Sequence, residues 1–133
     1  MLCTAIIGLG ALAPLLESCG AAGNIYKAQA GDENKILVPV AELAGKNYLT
    51  VRTPQLNNDI LIVKENEQKY HTLLMRCTHQ DNALVVTSTG LVCNAHGSRF
   101  DMEGNVTKEP ATRPLQRFKT EIINSNISIN LNT

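Results

Sequence analysis

Residues 60–92 read ILIVKENEQKYHTLLMRCTHQDNALVVTSTGLV. Four apolar runs occupy this stretch, at residues 60–63, 70–76, 84–87 and 91–92. They are too short for ordinary helices and carry many β-branched residues, as strands do. Ser88, Thr89 and Gly90 form a turn signal between the last two runs, and the charged segment 64–67 reads as a solvated turn. The same texture extends outward. Residues 36–40, 48–52, 118–123 and 127–131 are further short runs, and the last alternates strictly, one face in and one face out. Turn-like triplets lie at 45–47, 57–59 and 103–105. Only residues 40–44 offer a helical turn or two. The expected fold class is therefore all-β, an antiparallel sandwich or small barrel.

Composition agrees with a single domain. The chain has 133 residues, 44% of them hydrophobic, enough to build a core. Aromatic residues are 4% with no Trp, so that core must rest on Val, Ile and Leu. Lys and Arg balance Asp and Glu at zero formal charge, which argues against nucleic acid as a partner.

The chemistry is concentrated in two short motifs. Cys77-Thr78-His79 is the first, and Cys93-Asn94-Ala95-His96-Gly97 the second. Each supplies one thiolate and one imidazole, a donor set that suits zinc or an iron–sulfur cluster and not calcium or magnesium. A zinc finger would pair Cys with Cys and His with His, usually with the His pair on a helix. Here each motif is mixed. His71 belongs to neither motif and reads as an ordinary strand residue.

The pattern C-x-H … C-x-x-H resembles the Rieske iron–sulfur family. The match continues through Gly97, Ser98, Arg99, Phe100, Asp101 and Gly104. Residues 110–115 (PATRPL) resemble the proline loop that covers the cluster in that family. The resemblance implies a Rieske-like antiparallel β-sandwich with a cluster-binding subdomain of two loops, spanning residues 35–133. It implies one [2Fe–2S] cluster per chain, with Cys77 and Cys93 on one iron and His79 and His96 on the other. It also implies that Ser98 donates a hydrogen bond to the cluster. An oxidised two-iron, two-sulfide core is neutral with two thiolates and two neutral imidazoles, but a dianion with four thiolates. An electron enters the neutral centre more easily, and Rieske potentials of about −150 to +300 mV lie above the roughly −400 mV of plant-type ferredoxins.

Departures from the high-potential members place the chain within the family. Their disulfide-forming positions read here as Asn82 and Ala95. Gln80 follows the first His where they have Leu, and Phe100 stands where a Tyr hydrogen-bonds a ligand sulfur. With Ser98 kept and the Tyr lost, the expected potential lies below that of the quinol-oxidising members.

The N-terminus reads as a separate segment. Residues 2–16 carry no charge and have the size of a signal-peptide core. The following Glu17-Ser18-Cys19-Gly20 resembles a bacterial lipoprotein signal, although Glu17 and the missing basic residues depart from it. A start upstream of Met1, with a twin-Arg stretch, would supply those residues. That resemblance implies a signal at 1–18, lipid on Cys19, a flexible tether at 19–34 and an exported, membrane-anchored domain. Without the signal the chain would be cytoplasmic.

The expected function is one-electron transfer between redox partner proteins. The alternative is a small iron–sulfur subunit of a larger membrane-associated or exported oxidoreductase. A stand-alone oxygenase is not expected, because such enzymes add a mononuclear-iron domain and only His71 is spare.

Overall fold

The computed structural model describes residues 25–133. The expected signal at 1–18, the lipidation candidate Cys19 and the tether up to residue 24 lie outside the described residues. The strands in chain order are β1 (Ile25–Lys27), β2 (Lys35–Pro39), β3 (Tyr48–Arg52), β4 (Ile60–Asn66), β5 (Lys69–Leu74), β6 (Val85–Val86), β7 (Leu91–Val92), β8 (Arg99–Phe100), β9 (Val106–Lys108), β10 (Lys119–Ile123) and β11 (Asn126–Asn130). Single 3-10 turns occupy Asp32–Asn34 and Val40–Leu43. The all-β expectation holds.

Three sheets form: β1-β3-β4-β5, β10-β11-β2, and β6-β7-β8-β9. Pairing is antiparallel except at one edge, where β1 lies parallel to β3. That edge corrects the expected tether. Residues 25–34 are part of the fold: beyond β1, the Ala28 amide donates to the Arg52 carbonyl at 3.0 Å and the Gly31 amide to that of Lys35 at 2.9 Å. A three-residue strand has too little periodicity to announce itself, and its pairing comes from a distant segment. The β10–β11 hairpin turns through Asn124 and Ser125, with φ of 49° and 61°, the left-handed pair that matches the twist of the flanking strands.

β4 and β5 explain why their runs are nearly continuous rather than alternating. Ile60 and Ile62 of β4, with Tyr70 and Leu74 of β5, face a core shared with Ile36, Val38, Ile127 and Ile129 from β2 and β11. Leu61 and Val63, with Leu73, face a second core shared with Met75, Leu91, Phe100, Leu115 and the two cysteines Cys77 and Cys93. One hairpin is thus the wall between a structural base and a smaller subdomain. Both faces are buried, so both need apolar side chains.

His71 sits on the second face and is 7% exposed. Its Nδ1 lies 2.9 Å from Glu65 Oε1, and its Nε2 lies 2.8 Å from the Met102 carbonyl oxygen. It is a strand residue, as expected, but it also ties the base hairpin to the turn at 101–104. The Arg117 guanidinium makes a parallel tie, donating to the Glu103 carbonyl at 2.6 Å. A hydrogen bond from the Lys69 ammonium, and then one from His71, hold the Glu65 carboxyl below its ordinary value of 4.5.

A carboxyl lowered in the folded state stabilises the fold above its ordinary value. That contribution is lost as pH falls through the lowered one. Glu65→Gln should therefore be less stable than the parent at neutral pH, with the difference shrinking in acid below 4.5. Urea unfolding at several pH values measures it. A difference that stays constant into acid would show that the Glu65 charge does not support the hairpin.

Candidate metal centre

The two motifs sit at the tips of two similarly built loops. The isolated bridge between Arg76 and Ala83 closes the first, and the pair Val92 and Arg99 of β7 and β8 closes the second. Within the first loop the Cys77 amide donates to the Asn82 carbonyl at 2.7 Å, and the Asp81 amide to the Cys77 carbonyl at 2.9 Å. Within the second the Cys93 amide donates to the Ser98 carbonyl at 2.8 Å, and the Gly97 amide to the Cys93 carbonyl at 2.8 Å. The fourth residue after each Cys takes a positive φ: 59° at Asp81 and 81° at Gly97. Glycine does this freely, and Asp is among the few other residues that tolerate it. The backbones therefore match, although His is the second residue after Cys in one loop and the third in the other.

This construction separates the four donors by depth. Cys77 and Cys93 are 1% and 0% exposed, free of disulfide, and part of the second core. His79 and His96 are exposed. Their ring centroids are 4.9 Å apart and their planes are at 85°. All four expected ligands thus lie on the two neighbouring loop tips, thiols inward and imidazoles outward. Among the described residues, no three His, Cys, Asp or Glu side chains are close enough to share one metal ion. A lone zinc would need four donors around a single point. Buried thiols and surface imidazoles, each pair serving its own metal, fit a two-iron cluster.

A third loop, residues 110–114, is tied across both tips. The Ala111 amide donates to Ser98 Oγ at 2.9 Å. Ser98 is fully buried, and accepting this bond leaves its own O–H free to donate. On the other side the Thr78 hydroxyl donates to the Arg113 carbonyl at 2.7 Å, and the Arg113 guanidinium donates to the Thr78 carbonyl at 3.1 Å. The Leu115 amide anchors the loop's end on the Gly104 carbonyl at 2.8 Å.

Asp101 shapes the turn beneath. Its carboxylate accepts from the Glu103 amide at 3.1 Å and the Asn105 amide at 2.8 Å. Gly104 has φ +89°, and a Cβ there would lie 2.8 Å from Leu73 Cδ2. Glycine takes that positive φ freely, and a larger residue there would be strained and would push the Leu73 side chain aside. Sequence reading drew attention to Phe100, Asp101 and Gly104 but not to the reciprocal Thr78–Arg113 contact. Its partners are 35 residues apart, and nothing local in the sequence pairs them.

Comparisons with known proteins agree with this geometry. The family model described as the Rieske [2Fe-2S] domain matches residues 33–119. No curated protein matches the chain. Among solved structures, the plasma-membrane Rieske protein PetC3 of the cyanobacterium Synechocystis PCC 6803 is similar at 28% identity with a TM-score of 0.57. That match covers 68% of this chain and 93% of PetC3. A chain from the complex of reduced oxygenase and oxidised ferredoxin of carbazole 1,9a-dioxygenase shares the fold at 15% identity and a TM-score of 0.55, covering 74% of this chain and 94% of that one. Naphthalene 1,2-dioxygenase shares it at 18% identity and 0.60, covering 75% of this chain but only 26% of the dioxygenase chain. With a family match over more than half its length, on the loops that carry the four donors, the chain belongs to the Rieske [2Fe-2S] domain family.

Proposed function

We propose that this protein is a one-electron carrier that exchanges electrons with redox partner proteins at the loop tips carrying His79 and His96. A Rieske-type [2Fe–2S] cluster, when bound, supplies a site that accepts and releases a single electron. Cys77 and Cys93 would hold its inner iron, and His79 and His96 its outer one. The observation that carries the reading is the difference in depth: both thiols are buried and both imidazoles are exposed. The core keeps water from the thiol side, and the imidazole side is open to a docking protein. Ser98, whose hydroxyl accepts from Ala111 and keeps its O–H free, would donate a hydrogen bond to the cluster, as the family resemblance implies. The loop at 110–114, tied to both motif loops, would cover the cluster, as the family resemblance implies.

Export and anchoring remain part of the proposal. The apolar segment 2–16 and the following Cys19 support it, with the domain facing the periplasm or cell exterior. The alternative, a subunit of a larger oxidoreductase, would show itself as stable co-purification with other chains.

Three expected outcomes follow from this reading. Replacing Cys77, His79, Cys93 or His96 by Ala should abolish the cluster, measured as iron, acid-labile sulfide and visible absorption. A His96→Ala protein with a full iron and sulfide complement would refute the assignment. Phe100→Tyr should raise the midpoint potential and Ser98→Ala should lower it. Each shift should be on the order of 50 mV, the size of a hydrogen bond of about 1 kcal/mol made to one oxidation state of a one-electron couple. Opposite signs would show that neither side chain faces the sulfurs. Expression with the native upstream region should place the protein in the membrane fraction. Full-length cytosolic protein whose Cys19 reacts with a thiol reagent would overturn the anchoring.

A further inference from the structure

The covering loop at residues 110–114 is pinned at three points, and the pins differ in kind. Ala111 on Ser98 and Leu115 on Gly104 are buried contacts that involve no charged side chain. The contact between Arg113 and Thr78 is at the surface, is reciprocal, and carries a full positive charge. Thr78 is the residue between Cys77 and His79, one expected ligand of each iron. The guanidinium is therefore held 3.1 Å from a carbonyl flanked by two ligand residues, and its partner there is a neutral oxygen rather than a carboxylate.

We propose that Arg113 is a positioning residue for the cluster: it latches the covering loop onto the first ligand loop and fixes a positive charge beside the site that gains an electron. The inference rests on the ligand assignment made above. Two physical effects follow. The two hydrogen bonds hold loops that are distant in sequence, so breaking them frees the cover to open. The charge favours the reduced state, because reduction makes the centre more negative and an adjacent cation stabilises that change. Arg is suited to both tasks. Its planar fork fixes direction, and it stays charged at every working pH. The site is at the surface, so salt should screen the charge effect and leave the latch largely untouched.

The test uses the full chain loaded with its cluster and two readouts. These are the midpoint potential at low and high ionic strength, and the rate of iron release to a chelator. Arg113→Gln should move the potential negative at low salt, with a smaller shift at high salt. It should also speed iron release about fivefold, the ratio expected when a hydrogen bond of ordinary strength is lost. Arg113→Lys keeps the charge without the fork, so its potential should stay closer to the parent's. Thr78→Val should speed iron release with a smaller change in potential, and Thr78→Ser, which keeps the hydroxyl, should restore the parent rate. An Arg113→Gln protein with the parent's potential at low salt overturns the charge role. Parent-like iron release in both Arg113→Gln and Thr78→Val overturns the latch. The Thr78 variants leave the charged side chain in place, so they decide the latch even if Arg113→Gln does not fold. A parent protein without the visible and EPR signature of a [2Fe–2S] cluster would instead overturn the ligand assignment itself.

Discussion

The rest of the molecule depends on the β4–β5 hairpin being buried on both faces. Alternate residues of one strand, Ile60 and Ile62 against Leu61 and Val63, serve two different cores. The strand period of two assigns those duties without any further device. A slip of one residue would exchange the faces and disturb both cores at once, so the register is strongly specified. Leu73 of β5 then becomes the floor on which Gly104 rests, and Met75, just past it, joins Cys77 and Cys93 in the second core. The position of the metal centre is thus inherited from strand pairing in the base.

The centre has two opposed requirements, retention and access. Thiolates in an apolar core are shielded from solvent and oxidants, whereas electron exchange needs a short path to the surface. The two loops meet both needs by orientation. Cys77 and Cys93 are buried in the second core, and His79 and His96 are exposed. Hydrogen bonds tie the loop at 110–114 to the two motif loops while His79 and His96 stay exposed. Asn82 and Ala95 stand where high-potential members would join those two motif loops to each other by a disulfide, and Cys77 and Cys93 are free.

Much of this was legible in the sequence, and the reasons are specific. Residues 36–40, 48–52, 60–63 and 127–131 form strands because their patterns are long enough to carry a period. The two Cys/His motifs stood out because few residue types ligate soft metals and their spacing is unusual, and the fold brings both motifs onto neighbouring loops. β1, β8 and β9 were not visible, since two or three residues carry no period and their stability comes from partners elsewhere. Isolated apolar residues such as Phe100 and Val106 gave no strand signal of their own. His71 read as an ordinary strand residue, and its bond to the Met102 carbonyl, 31 residues away, could not be inferred locally. The contact between Thr78 and Arg113 was hidden for the same reason. Side-chain contacts to distant backbone are set by the finished topology, not by neighbours in sequence.

The parallel docking of β1 on β3 would also shorten the leash of the proposed anchor. If residues 25–34 were free, an attachment at Cys19 would let the domain roam over a radius of about 50 Å. With the chain captured from Ile25 onward, only residues 20–24 lie between that cysteine and the sheet edge, and the radius of such an attachment would fall to roughly 20 Å. β1 and β5 occupy opposite edges of a four-stranded sheet, so a point of attachment ahead of β1 would lie three strand spacings, about 14 Å, from the strand that leads into the first motif loop. A domain held so closely would reorient about its attachment and could not swing between distant sites. Its electron partners would then have to reach it in a thin layer next to the bilayer.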